Sequence, residues 1–362
     1  MNTCLEPTPP TTVSKPMRVL KASGPTLRLH WVRNHNRPHR LRRVVQLTFL
    51  GICLWIGWRF FQFYHSCLDV NGAIATRPAG VEAFLPISAL ISAKLWFKTG
   101  IIQPVHPAGL LIFAAVVAVS FLFRRSFCSW VCPVGLLSEK LGDSGSKLLK
   151  RNWGLPRWVD VPLRGIKYLL LGFFAYVIFC RMDLDSLRAF LDSPFNHIAD
   201  VRLLQFFRYA SPTTMVVLVV LAVLSVLVRN FWCRYACPYG ALTAMAGLLS
   251  PVRIKRDIPS CIDCGKCSKA CPALLPVHKL VAVRSEECSL CLECVEACPV
   301  ADTLSVNLVA TRRRVKPLFL ALAIGGIFLF MDLYGRWSGH WQSSVSPEQL
   351  KQEIQYFAQP RP

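Results

Sequence analysis

Eight cysteines of the 362-residue chain fall into two runs, Cys261, Cys264, Cys267, Cys271-Pro272 and Cys288, Cys291, Cys294, Cys298-Pro299, each spaced C-x2-C-x2-C-x3-C-P. Thiolates at that spacing bind 4Fe-4S cubanes, and in two-cluster ferredoxins the fourth cysteine of each run serves the other cluster. The expected ligand sets are therefore Cys261, Cys264, Cys267 and Cys298 for one cluster, and Cys288, Cys291, Cys294 and Cys271 for the other. Zinc knuckles fit less well, because a zinc site does not need the fourth Cys-Pro and no cysteine of the runs is left over. Gly265 lets the backbone pass close to a cluster, and small Ser268, Ala270 and Ala297 leave backbone N–H groups free to approach its sulfides. Lys266, Lys269 and Lys279 are offset by Glu286, Glu287, Glu293 and Glu296, so local charge alone does not set a potential.

Four further cysteines sit in two echoing segments, RSFCSWVCPVG and RNFWCRYACPYG, in which Cys128, Cys132, Pro133 and Gly135 match Cys233, Cys237, Pro238 and Gly240 at a constant offset of 105. These C-x3-C-P pairs reproduce the end of a ferredoxin run. Three functional readings are open: a third iron-sulfur site, a redox-active thiol pair, or a thiol relay coupling quinone to the clusters. The simpler reading is small residues packing a repeat interface. Flanking Arg124, Arg125, Arg229 and Arg234 are expected to favour thiolate. The prolines bias Cys132 and Cys237 away from helical geometry, so each preceding helix should end near the first cysteine and a new element should start at the proline. His65, His106 and His197 are candidate quinol contacts, since a quinol headgroup needs a proton acceptor at interfacial depth; otherwise they are polar tips at the membrane surface. No C-x-x-C-H occurs, which excludes covalently attached c-type haem.

The elements that must position these groups are membrane helices. The chain is 53% apolar and 17% charged, with a mean hydropathy of +0.39, where soluble domains are about 25% charged. Five apolar stretches, Val44–Phe63, Pro107–Phe123, Arg164–Cys180, Pro212–Val228 and Pro317–Tyr334, approach the roughly 20 residues that cross a hydrocarbon core. A sixth, Ala83–Ile102, is interrupted by Pro86, Lys94 and Lys98 and reads as re-entrant or interfacial. The segments between spans hold Lys and Arg unequally, 30 on one side and 10 on the other. By the positive-inside rule the N-terminus and the cysteine runs are cytoplasmic and the C-terminal tail is periplasmic. That asymmetry also accounts for most of the net charge of +22, so a nucleic-acid surface loses its support and membrane lipid is the expected environment.

The expected architecture is an α-helical integral membrane protein with about five transmembrane helices, a tandem two-helix repeat, and a cytoplasmic α+β two-cluster bacterial ferredoxin-like domain. Its divisions are a basic disordered arm (1–43), membrane repeat unit 1 (44–140), a cytoplasmic linker with membrane repeat unit 2 (141–250), the ferredoxin-type domain (251–316), a final transmembrane helix (317–334) and a periplasmic tail (335–362). The first span reads as a retained anchor, because no small-residue cleavage site follows it. In the tail, Ser346, Pro347 and Gln349 form a capped start for a short helix through Phe357, expected to contact a partner.

The two cysteine pairs, the two full runs, and the segments RPAGVEAFLPISAL and HPAGL together resemble the NapH, NosR and MauN-like family of membrane ferredoxins over most of 44–334. The layout points to the NapH-like members, with no segment of a size to match the periplasmic domains of NosR or CcoG. The resemblance implies a multi-pass bacterial inner-membrane protein passing electrons between the quinol pool, cytoplasmic-side 4Fe-4S clusters and a periplasmic redox protein or respiratory enzyme. Quinone or quinol would be its mobile carrier, and a quinol dehydrogenase subunit is one form that an electron-transfer component of this kind takes. The alternative is an assembly or maturation factor that reduces a metal centre, for example copper, or a thiol of a client respiratory enzyme.

Overall fold

The computed structural model describes residues 38–69, 72–148, 155–311 and 313–357. The first 37 residues of the expected basic arm lie outside the described residues; its last six belong to a helix. That helix, α1 (Pro38–Leu68), opens on a proline, whose missing N–H costs nothing in a first turn. Its 31 residues span about 46 Å at 1.5 Å per residue, more than a hydrocarbon core requires.

The chain continues through a short 3-10 turn, Ala79–Phe84, into α2 (Pro86–Thr99), α3 (Pro107–Phe123), α4 (Ser126–Trp130), α5 (Pro133–Leu148) and α6 (Arg157–Tyr176). A π-turn, Val177–Arg181, prolongs α6 before α7 (Leu184–Leu191), α8 (Pro194–His197), α9 (Ala199–Arg208) and α10 (Pro212–Leu227). A second π-turn, Trp232–Ala236, leads to α11 (Pro238–Leu248), and β1 (Val252–Arg256) opens the cysteine-rich part. There α12 (Lys266–Ala270) and α13 (Glu293–Glu296) precede β2 (Leu304–Leu308), and α14 (Pro317–Trp337) and α15 (Pro347–Phe357) follow.

Each of the five apolar stretches forms helix over nearly all of its length. Among the described residues, three helices are long and apolar enough to cross a membrane singly: Pro38–Leu68, Trp158–Arg181 and Pro317–Trp337. The helices α9 and α10 would make a fourth only as one span bent by 82°; the break falls before Ser211, whose hydroxyl caps α10 by accepting from the Thr214 N–H. Helix α3 is apolar throughout but has 17 residues.

Helix α2 explains why a lysine interrupts an apolar run. The Lys94 ammonium is buried and donates to the carbonyls of Ile178 (2.9 Å), Phe179 (3.3 Å) and Met182. It thereby satisfies carbonyls left without intrahelical partners where α6 ends in its π-turn. On the same helix, Ile91 and Leu95 pack against Ile178, Leu187 and Leu191, so the lysine's amine is held beside an apolar corner.

Both Cys-Pro junctions break the chain as proline requires. After α3, Arg124 takes a positive φ of 60°, α4 carries Cys128, and Pro133 begins α5. After α10, Asn230 takes a φ of 59°, the π-turn carries Cys233, and Pro238 begins α11. One apolar core then runs from the helix ends (Val119, Phe123, Trp130, Leu320, Ile324) into the cysteine-rich part (Val252, Ile254, Val283, Leu290, Leu304). At the far end, α15 forms as its capped sequence predicts, with Ser346 Oγ accepting from the Gln349 N–H at 3.1 Å. Leu350 and Ile354 bury themselves against Phe60, Phe63 and Tyr64 of α1, so the apolar face of this helix is used within the chain.

Candidate functional site

In the cysteine-rich part, β1 and β2 pair antiparallel with Val252 opposite Leu308 and Arg256 opposite Leu304, and the two cysteine runs lie between them in sequence. Cys261, Cys264, Cys267 and Cys298 line one recess. Cys271, Cys288, Cys291 and Cys294 line another. The two recesses thus gather the same quartets that the spacing pairs. Among the described residues, no three Cys, His, Asp or Glu side chains converge as one metal ion would need. Each recess gathers four thiols, a sulfur-rich donor set that suits an iron–sulfur group, with His278 also lining the first and Glu287 the second.

The backbone around the quartets repeats a device. Asp263 and Gly265 have φ values of 51° and 68°, and Leu290 and Leu292 have 51° and 65°, at equivalent places in the two runs. Left-handed residues in such turns build the backbone nests that hold anions and Fe–S groups. Gly265 was legible from its type, whereas Asp263, Leu290 and Leu292 were not, since L-residues seldom take that conformation. The quartets differ in exposure: Cys264 is exposed and Cys261 and Cys298 are half-buried, while all four cysteines of the second quartet are buried. Burial pushes the Cys291 thiol up to about 12. We call the exposed quartet outer and the buried one inner.

The inner quartet sits on the membrane part. Trp130 Nε1–H donates to the Leu290 carbonyl at 3.1 Å and Ser129 Oγ–H to the Ser289 carbonyl at 2.6 Å, so α4 docks on the loop between Cys288 and Cys291. Arg124 reaches the Ser285 carbonyl. Behind this contact, Cys128, Cys132, Cys233 and Cys237 lie within electrostatic reach of one another. The Gly240 N–H donates to Cys237 Sγ at 3.3 Å, and Cys128 Sγ lies 3.5 Å from Thr243 Oγ1. A cleft lined by Cys128, Cys233 and Cys291 joins this tetrad to the inner quartet. At Cys132, Cys233 and Cys237 burial outweighs the acidifying effect that the flanking arginines suggested. Burial, reinforced by the charge of Cys128, pushes Cys132 up to about 12, and burial also raises Cys233 and Cys237.

Buried ions cross the same junction. Arg125 Nη1–H donates to Glu287 Oε2 at 2.7 Å, and its Nη2–H donates to the Cys233 carbonyl at 3.2 Å. Lys167, fully buried on α6, donates to Glu287 Oε1 at 2.5 Å. Burial alone would raise the Glu287 carboxyl, but Arg125 and Lys167 hold it below its usual range. Arg42 of α1 meets Glu139 at 2.7 Å and Glu293 at 2.9 Å, and Arg229 meets Asp143 at 2.9 Å. Asp160 accepts from Arg234 at 3.1 and 3.0 Å and from Tyr235 Oη–H at 2.5 Å. Sequence reasoning missed Lys167, Glu287 and Arg42 as parts of this junction, and Asp160 as the carboxylate that ties α6 to the second π-turn; the available signal was a lysine inside an apolar span, which needs a partner.

The three candidate histidines lie at the other end, and each has its own partners. His65 Nε2 is 3.0 Å from Arg208 Nη1 on the exposed surface. His197 Nδ1 faces the Glu353 carboxylate at 3.0 Å. His106 is buried, and its Nε2–H donates to the Asn196 carbonyl at 2.7 Å. Its Nδ1 stands 3.2 Å from both Arg77 Nη2 and Glu82 Oε1, and Arg77 in turn pairs with Asp200 at 2.8 Å. Cys67 and Cys180 are free thiols, the first buried and the second exposed.

Quartets of thiols in nests, docked on apolar helices, define an iron–sulfur membrane protein of the ferredoxin type. A family model described as a 4Fe-4S binding domain matches residues 105–156 and again 210–257, and one described as a 4Fe-4S dicluster domain matches 253–299. The chain is 42% identical over 321 residues, 86% of its length and 89% of the relative's, to "Putative electron transport protein YccM" of Escherichia coli. It is 27% identical to the ferredoxin-type protein NapH of Escherichia coli over 74% of this chain and 88% of NapH. Identity to protein NirI of Paracoccus denitrificans is 32% over 71% of this chain, but only 34% of NirI is covered. No solved structure matches the chain. The chain belongs to the family of ferredoxin-type membrane electron-transport proteins represented by YccM, and its role is iron–sulfur electron transfer.

Proposed function

We propose that this chain carries electrons between the quinol pool and a periplasmic redox protein or respiratory enzyme, through 4Fe-4S clusters at the inner and outer quartets. Cys288, Cys291, Cys294 and Cys271 would hold one cluster, and Cys261, Cys264, Cys267 and Cys298 the other. The tetrad Cys128, Cys132, Cys233 and Cys237 would supply a third iron–sulfur site or thiol relay between the two membrane repeat units. When bound, such clusters supply one-electron redox chemistry over a wide range of potential. The observation that carries this reading is the cleft lined by Cys128, Cys233 and Cys291. It links the tetrad to the inner quartet, and the outer quartet continues toward exposed Cys264, which supports a path from membrane to surface.

The chain's own residues have three tasks in this reading. Trp130, Ser129 and Arg124 hold the inner quartet's loop against the membrane helices. Arg125 ties the Cys233 backbone to Glu287 beside Cys288. His65, His106 and His197 stay candidate quinol contacts at the far end. The excess of Lys and Arg supports quartets on the cytoplasmic side of the inner membrane and a tail after Tyr334 on the periplasmic side. The test is quinol-driven bleaching of iron–sulfur absorbance in membranes containing the full chain. Bleaching by quinol supports the reading, and clusters reducible by dithionite but indifferent to quinol reject its quinol end.

A further inference from the structure

We propose that Lys167, acting through Glu287 and Arg125, is an electrostatic bridge that raises the reduction potential of the cluster at the inner quartet. This rests on the reading of Cys271, Cys288, Cys291 and Cys294 as cluster ligands. Lys167 lies within the apolar helix segment Trp158–Arg181 and has no exposed surface. An ion in that setting is costly unless it is paired, and a well-packed apolar side chain would ordinarily serve packing as well.

Pairing alone does not explain it. Glu287 already has a counterion in Arg125 at 2.7 Å, and those two charges cancel. Lys167 adds a second cation to the same carboxylate, at 2.5 Å on its other oxygen, and leaves the triad with one surplus positive charge. A second buried ion cluster shares the cleft beside Cys291 and is balanced differently: Arg42 and Arg229 pair with Glu139, Glu293 and Asp143, two cations against three carboxylates. Arg124, which donates to the Ser285 carbonyl, adds a further cation beside Cys288, with Glu286 as its neighbouring carboxylate.

Each one-electron reduction adds a negative charge to whatever the cysteines hold. A surplus cation in a poorly hydrated setting stabilises that added charge and raises the potential. The carboxylate next to Cys288 acts in the opposite sense. Lys167 is therefore a positioning residue for charge that bonds to Glu287 and not to a cysteine, and its effect must show in a potential as well as in a rate.

The experiment uses the full chain, purified anaerobically in detergent, with iron and sulfide measured before a redox titration followed by electron paramagnetic resonance. Lys167→Met should lower the inner cluster's midpoint by about 59 mV, a tenfold fall in the reduced-to-oxidised ratio for one electron. Glu287→Gln should move it in the opposite direction, and Lys167→Arg should leave it near wild type. If Lys167→Met fails to load iron, Lys167→Gln, whose amide still donates to Glu287, must give the same downward shift. A midpoint unmoved by loss of the charge, or Lys167 and Glu287 variants shifting it the same way, overturns the bridge while the cluster reading stands. A wild-type chain without iron and sulfide overturns both.

Discussion

Gly135→Ala tests the geometry of the first Cys-Pro junction. A Cβ at position 135 would lie 2.1 Å from the Cys128 carbonyl oxygen, inside the 3.0 Å below which something must shift. That oxygen belongs to the backbone of α4, which Trp130 and Ser129 pin to the inner quartet's loop, so it has little freedom to give way. Overpacking of this kind costs about 1–3 kcal/mol, and a backbone obstacle argues for the upper end. The equivalent change in the second copy, Gly240→Ala, meets the Cys233 carbonyl oxygen at 3.2 Å and the end of the Arg125 side chain at 3.3 Å. It needs a shift of tenths of an ångström and should cost under about 1 kcal/mol. Gly165→Ala, with nothing within 4 Å, should gain about 0.5–1 kcal/mol because it sits in the interior of α6. The assay is thermal unfolding of the purified chain in mild detergent, followed by tryptophan fluorescence. Gly135→Ala should melt well below Gly240→Ala, and Gly165→Ala at or above wild type. Equal midpoints for the first two would refute the asymmetry between the two junctions.

Cys298→Ser should remove the cluster of Cys261, Cys264 and Cys267 and spare the inner one, read as loss of about half the iron of the two ferredoxin clusters and of one paramagnetic signal; loss confined to the inner cluster would reject the crossed sets. Trp130→Phe strips the donor from the buried Leu290 carbonyl and should cost about 1–3 kcal/mol in the same melting assay, whereas an unchanged midpoint would mean that α4 does not anchor the loop. Reporter fusions after Asn307 and after Ser343 should lie on opposite sides of the membrane, and the same side for both would remove α14 as a span. Truncation before Ser346 exposes the faces of Phe60, Phe63 and Tyr64 that Leu350 and Ile354 cover, so it should lower the melting midpoint; unchanged stability would show that α15 does not contribute to the fold.

The grouping of the cysteines into two recesses was legible because ligand patterns are written in short spacings. Four closely spaced cysteines followed by a proline specify a loop around a cubane, and the crossing of the fourth cysteine follows from the ferredoxin pattern. The capped start at Ser346 was equally local. Helix ends were less legible, because α1 begins at Pro38 in a basic segment whose polarity reads as arm. In the same way Lys94 reads as an interruption until the π-turn end of α6, 84 residues away for Ile178, supplies the carbonyls it satisfies. The tetrad's arginines misled for a related reason: charge is visible in the sequence, but the burial that opposes it appears only when α4, α11 and the second π-turn close around the thiols.

The junction between the membrane helices and the ferredoxin part was the least legible feature, since its bonds join residues far apart in the chain. Arg125 and Glu287 are separated by 162 positions, and Lys167 and Glu287 by 120. No local pattern connects them. Each residue nevertheless posed a question that the sequence could state: a lysine in an apolar span, an arginine at a helix end, an acidic residue beside a cysteine of the second run. The fold answers all three with one buried triad, because the apolar core that joins α3, α4 and α14 to β1 and β2 excludes the water that would otherwise solvate each ion. Packing that seals this junction thus also makes its charges strong, so in the proposed electron-transfer role stability and electron affinity at the inner quartet would depend on the same side chains.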